Sequence, residues 1–179
     1  MQNSSDLMSI AKHGDLIRKI LASVFFALSC QVALASELQG RVVGVSDGDT
    51  ITVLDAKNQQ HKVRLAGIDA PEKSQAFGQA SKKQLSELVF GKAVVVEWQK
   101  SDRYRRVVGK VLLEGFDVCL EQIRKGMAWH YKKYAGDQSA RDRQTYAAVE
   151  VEARDARLGL WIYASPEAPW DYRHRGRSK

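Results

Sequence analysis

Cysteine and proline are scarce in this chain, with two Cys and three Pro among 179 residues. Cys30 and Cys119 can make one bridge at most and stand at no zinc-ligand spacing, which excludes a disulfide framework and a thiolate metal site. The four histidines, His13, His61, His130 and His174, show neither metal-ligand nor nucleophile–base spacing. No internal repeat recurs, and no apolar run reaches the roughly 18 residues of a comfortable membrane span. A hydrophobic fraction of 44% against 27% charged still leaves material for a core, so a wholly disordered chain is excluded. What the chain has in excess is positive charge, 28 Lys and Arg against 21 Asp and Glu, a formal +7. That balance points to an anionic partner: nucleic acid, acidic lipid or another polyanion.

The first 35 residues have the order of a secretory signal. Arg18-Lys19 precedes an apolar run over 20–29, and Ala33-Leu34-Ala35 offers a small-x-small cleavage site. The n-region is long, so Met8 is an alternative start. An uncleaved N-terminal anchor and lipidation at Cys30 are the other readings of this segment. Cleavage after Ala35 removes Lys12, Arg18, Lys19, Asp6 and Asp15, leaving 144 residues with a formal charge of +6. The expectation is a monomer exported to the periplasm or the medium, with no stable membrane association after cleavage. Cys119 is then its single thiol, and the flanking Val118 and Leu120 predict a buried, inert one. A domain over 36–164 follows the signal. Residues 165–179, which hold two of the three prolines and end Arg173-His174-Arg175-Gly176-Arg177-Ser178-Lys179, read as a basic flexible tail.

Five β-like runs are predicted, over 38–46, 50–54, 62–68, 93–98 and 107–113, with the turn dipeptide Asp47-Gly48 between the first two. Helical spacing covers 74–89, 117–125 and 139–158, each followed by a glycine at position 91, 126 or 159. One helix between the third and fourth strands and two after the fifth suggest an α+β protein, a five-stranded OB-type β-barrel with three helices packed on it. A generic α+β sandwich fits the same order.

The chemistry lies in short polar segments. Asp47-Gly48-Asp49-Thr50 and Asp69-Ala70-Pro71-Glu72 each have a plain reading alone, as a hairpin turn and a capped helix start. If adjacent strands bring Asp49 and Asp69 together, the pair offers hard oxygen ligands for Ca²⁺ or Mg²⁺. A turn across Pro71 aims Glu72 at the same cleft, free to act as a base. Arg64 alternates with Val63 and Leu65 inside a strand, a costly place for a guanidinium unless it faces a site. Asp102-Arg103-Tyr104-Arg105-Arg106 gathers three more guanidiniums on one connection, matched to phosphate by their bidentate geometry. In Trp129-His130-Tyr131-Lys132-Lys133-Tyr134, rings that can stack on bases alternate with phosphate-binding lysines. A loop whose rings merely cover the core has the same pattern.

Taken together, Val45-Ser46-Asp47-Gly48-Asp49-Thr50, Val63-Arg64-Leu65-Ala66-Gly67-Ile68-Asp69-Ala70-Pro71-Glu72 and Asp102-Arg103-Tyr104-Arg105-Arg106 resemble the staphylococcal nuclease (thermonuclease) family. Gly126-Met127-Ala128 and Leu158-Gly159-Leu160-Trp161 extend the resemblance over residues 40–161. It implies a Ca²⁺-dependent phosphodiesterase, an endonuclease acting on DNA and/or RNA and leaving 3′-phosphate ends. By the same resemblance Asp49, Asp69 and the Ala70 carbonyl are metal ligands, Arg64 and Arg106 bind the scissile phosphate, and Glu72 activates water. Tyr134, with Tyr131 as its neighbour, is implied to lie near the substrate; Lys132 joins them as a phosphate contact from the ring-and-lysine pattern, and Arg105 as a competitor of Arg106 for the phosphate. The chain departs from the pattern in carrying Ala70 where the staphylococcal enzyme has Thr, and Arg105 where Gly is usual. A non-catalytic OB-fold nucleic-acid-binding module is the alternative function.

Overall fold

The structure, a computed structural model, describes residues 36–177. The proposed signal, with Cys30, lies outside the described residues. Strand β1 (Ser36–Asp47) is long enough to serve two partners. Its C-terminal half forms a hairpin with β2 (Thr50–Asp55), pairing Asp47 with Thr50 around Gly48-Asp49. Its N-terminal half pairs antiparallel with β5 (Ala93–Ser101), from Ser36 opposite Trp98 to Arg41 opposite Ala93. β2 continues antiparallel into β3 (Gln60–Leu65), and β5 pairs antiparallel with β6 (Val107–Leu113). A parallel β3–β6 pairing, with Val63 opposite Val107 and Leu65 opposite Gly109, closes a five-stranded barrel of the OB type.

Period-two alternation fills that barrel. Val42, Ile51, Val53, Val63, Leu65, Val96 and Val111 all point inward and are buried. Helix α1 (Gly78–Val89) adds Leu85 and Val89, and α2 (Val118–Arg124) adds Val118, Cys119 and Ile123. Helix α3 (Ala140–Asp155), capped by Ser139, adds Tyr146 and Val149. Cys119 is the buried free thiol the sequence predicts, and burial pushes its pKa up to about 12.

Three boundaries differ from the sequence expectation. The run over 62–68 breaks at Ala66-Gly67, where Gly67 takes a φ of 74°, so a two-residue strand β4 (Ile68–Asp69) leaves the barrel. After a two-residue β7 (Phe116–Asp117) that pairs with β6, β8 (Trp129–His130) pairs with β4, setting Asp69 opposite Trp129. The helix expected from residue 74 begins only at Gly78, because Pro71 and the turn from Glu72 to Gln75 hold the preceding chain out of helix. Residues 165–177 are not a free tail. Pro169–Arg177 forms a fourth helix, α4, with Pro169 at its first position and Asp171 in its first turn. Ala168 and Pro169 are buried against the domain, and the apolar Trp170 supplies the anchor that charge counting conceals.

Candidate active site

The barrel mouth where β1, β2 and β3 meet holds the acidic residues. Gly48 lets the hairpin sit low, since a Cβ there would fall 1.8 Å from Ser81 Oγ and 2.8 Å from Ala70 Cβ. The Gln122 amide fixes the turn by donating to the Gly48 carbonyl at 2.7 Å. Asp49 is thereby aimed at the 68–72 segment, where its Oδ2 accepts the Ala70 N–H at 2.7 Å and its Oδ1 the Thr50 hydroxyl at 3.1 Å.

Arg64 holds this mouth together. One guanidinium nitrogen, Nη1, donates to the carbonyls of Leu65 at 3.0 Å and Ile68 at 2.9 Å, and lies 3.1 Å from Asp49 Oδ2. The other, Nη2, donates to Asp69 Oδ1 at 2.8 Å. Asp69 is buried, 1% exposed, and Arg64 only 14% exposed, so little water screens their attraction, which offsets the cost of burying both charges. Burial first, then the like charges of Asp47 and Asp69, raise the Asp49 pKa to about 7 against the opposing pull of Arg64. Asp49 is thus a buried carboxyl with the like charge of Asp69 beside it and one guanidinium, Arg64, bridging the two.

Glu72 reaches the same cleft, as the turn across Pro71 predicts. Its N–H donates to Gln75 Oε1 at 3.1 Å, and its carbonyl accepts the Gln75 N–H at 2.8 Å. Gly78 permits this turn, because a Cβ there would stand 1.9 Å from the Glu72 carbonyl oxygen. The carboxylates of Glu72 and Asp69 share a third group that the sequence reading passed over. Arg173 on α4 donates through Nη1 to Glu72 Oε1 at 2.8 Å and Asp69 Oδ1 at 3.2 Å, and through Nη2 to Asp69 Oδ2 at 2.6 Å. Burial disfavours the Arg173 charge, but its bonds to Asp69 and Glu72 outweigh that and raise its pKa.

The other residues singled out from the sequence separate into two groups. Tyr131 borders the mouth, with its ring stacked on Trp170 at 5.4 Å and 6° and edge-on to Tyr134 at 5.0 Å. Tyr134 is half exposed, with Lys100 Nζ over its ring at 5.8 Å. Arg106 and Lys132 are engaged elsewhere. Arg106 donates through Nε to Asp102 Oδ2 at 2.7 Å, and among the described residues no ion pair joins it to Asp49, Asp69 or Glu72. Lys132 Nζ bonds the buried Glu150 carboxylate at 2.6 Å, and the other oxygen of Glu150 accepts the His130 N–H at 3.0 Å. Lys132 thus buttresses the β8 segment. Arg105 is exposed with φ 62°, the left-handed region that suits glycine, so this arginine sits in the backbone geometry that the glycine of the family pattern would adopt without strain.

No three His, Cys, Asp or Glu side chains form a ready-made cation cage among the described residues. The donors present still fit a hard divalent cation. Asp49 and Asp69 supply hard carboxylate oxygens that share Arg64 between them, and a cation there would favour the ionised form of Asp49 that burial disfavours. Substrate or water would have to complete the shell.

A closed OB-type barrel with a guanidinium clamped between two buried aspartates and a glutamate beside them defines a class of small phosphodiester-handling domains. The comparisons place the chain within that class. A family model described as staphylococcal nuclease homologue matches residues 62–163. A Haemophilus influenzae protein named uncharacterized endonuclease is 41% identical over 160 residues, 88% of this chain and 86% of that one. An Escherichia coli protein of the same name is 40% identical over 89% of this chain and 99% of its own. A Shigella flexneri protein named micrococcal nuclease is 36% identical over 90% of this chain and 94% of its own. The chain belongs to the staphylococcal nuclease family.

Proposed function

We propose that this protein is a Ca²⁺-dependent endonuclease that hydrolyses phosphodiester bonds of DNA and/or RNA and leaves 3′-phosphate ends. The observation that carries this reading is Arg64 held between Asp49 and Asp69 with the Glu72 carboxylate in the same cleft. Family membership and the printed names of the endonuclease and micrococcal nuclease relatives support it.

Asp49, Asp69 and the Ala70 carbonyl would hold the cation, which when bound polarises a phosphate oxygen as a Lewis acid. Arg64 is oriented by two backbone carbonyls and two carboxylates, and its Nε–H and second Nη2–H would donate to the phosphate as charge builds there. Glu72, 38% exposed, can be reached by water and takes a proton from it for in-line attack. Arg106 joins as a second phosphate ligand by turning away from Asp102, its partner at the partly exposed start of the loop. Tyr131 and Tyr134 offer ring faces to a base, and exposed Arg105 adds charge nearby. Export through residues 1–35 would deliver the enzyme to the periplasm or the medium as a monomer.

Digestion of single- and double-stranded DNA and RNA with Ca²⁺, Mg²⁺ or EGTA tests the reading, with end-labelling to identify the products. Cleavage of either polymer in Ca²⁺ with 3′-phosphate ends, abolished by EGTA, is expected. Binding without cleavage in every metal would establish the non-catalytic module instead.

A further inference from the structure

The second cation in the acidic mouth comes from the C-terminal arm, residues 165–177. Arg173 occupies both carboxylate oxygens of Asp69 and one of Glu72. A Ca²⁺ binds a carboxylate oxygen at about 2.3–2.6 Å. Bound to Asp69 Oδ2, it would stand within about 5 Å of the Arg173 nitrogen already there, with like charges facing in a poorly solvated cleft. The same helix places Trp170 flat on Tyr131, the geometry a stacked base would take. One side chain of the arm therefore fills the place of the cation, and another the place of a base.

The arm is attached through separate contacts at its root and along its helix. At the root Ala168 and Pro169 are buried and Trp170 also meets Trp129 edge-on at 5.5 Å, while Gln75 Nε2 donates to the Glu167 carbonyl at 2.6 Å and a Ser74–Tyr172 hydroxyl bond spans 2.9 Å. Both clasp the loop that carries Glu72. Arg173 is 35% exposed, so water can compete for its bonds.

We infer that the C-terminal arm is an intramolecular occupant of the active site, and that Arg173, which also holds Glu72, competes with a divalent cation for Asp69. This rests on the proposed metal-dependent nuclease reading. Apparent metal affinity is then reduced by the fraction of molecules with the arm undocked. By linkage, metal loosens the arm by the same factor that the arm weakens metal.

The test is Ca²⁺ titration by calorimetry on full-length wild type and Arg173→Ala, without nucleic acid, together with hydrogen exchange over Pro169–Arg177 in wild type. An arm docked in nine molecules of ten predicts about tenfold tighter Ca²⁺ binding in Arg173→Ala. Saturating Ca²⁺ should speed exchange in the wild-type arm by about the same factor. Equal or weaker affinity in the variant, or an arm whose exchange ignores saturating Ca²⁺, overturns the competition. If both proteins bind Ca²⁺ equally, the metal reading stands and only the arm's role falls. If neither binds it, both fall together. Should Arg173→Ala fail to fold, exchange in wild type alone decides.

Discussion

Asp69 and Asp117 are both carboxylates at the rim of one barrel, and both bond several donors, but the donors differ in kind. Asp117 caps α2 by accepting the Leu120 N–H at 3.0 Å, and it takes the Tyr146 hydroxyl at 2.9 Å. Lys110 lies 3.3 Å away and also bonds Asp142 at 2.9 Å. All these partners stand on β6, α2 and α3, so forming the core brings them into place. Among the described residues the side-chain donors on Asp69 are both guanidiniums, Arg64 from strand β3 and Arg173 from the arm laid over the mouth. Beside Asp69, Asp49 still carries a pKa raised to about 7. In one cluster every partner is delivered by the core elements themselves. The other gathers Asp49, Asp69 and Glu72 around two guanidiniums, one of them brought from the C-terminal arm, and facing carboxylates with a perturbed pKa in a cleft mark a candidate binding site.

The largest separation between the two should appear in catalysis. Glu72→Gln should lower nuclease turnover by about 10²–10⁴ with nucleic-acid binding and thermal stability little changed. Asp117→Ala should leave specific activity intact below its melting temperature. Loss of the cap, with the Tyr146 hydroxyl and Lys110 left unpaired, should lower stability by about 3 kcal/mol. That is a fall of about 10 °C in Tm by calorimetry. Wild-type turnover in Glu72→Gln, or crippled turnover in a folded Asp117→Ala, would erase the distinction.

The buried Asp49 carboxyl makes a second contrast, read against pH. The Asp49 pKa is raised on folding from 3.8 to about 7, so the folded protein holds a proton that the unfolded chain has released between those values. The stability this proton supports is present below about pH 4 and is lost as pH rises through 7. Asp49→Asn removes the penalty. Without metal, the variant should melt about 5 °C above wild type at pH 8, with the gap closing toward pH 4. Added Ca²⁺ should raise the wild-type Tm and not the variant's, because only an intact site gains from mass action. A gap that widens toward low pH would reverse the sign and remove Asp49 from the account.

How far the sequence discloses this arrangement depends on the range over which each residue acts. The barrel strands are readable because alternation is local, as in Thr50-Ile51-Thr52-Val53. Asp49, Arg64, Asp69 and Glu72 are readable as a set because their ordered motifs resemble a known family. What escapes is pairing between distant segments. Nothing near Lys132 announces that Glu150 will claim it, and nothing near Arg106 shows whether Asp102 bends back upon it. Arg173 is the extreme case, 101 residues from Glu72. Its only sequence signal is Pro169-Trp170-Asp171, a helix start with an aromatic anchor inside a segment that charge alone marks as a tail.

Lys132 gives the smallest effect and separates substrate contact from buttress. Glu150 is 2% exposed and keeps two other partners if Lys132 is lost, the His130 N–H at 3.0 Å and Arg154 at 3.7 Å. The Lys132 end of the pair is 62% exposed, so water screens much of its contribution. Lys132→Met should therefore lower stability by about 1 kcal/mol or less, read as a small fall in Tm. A lysine on the substrate phosphates would behave differently. Its loss would weaken nucleic-acid binding about evenly across sequences and lower the slope of log affinity against log salt by about one. Because Lys132 is held on Glu150, that slope should not move. A drop of one in the salt slope at unchanged Tm would return Lys132 to the nucleic-acid surface.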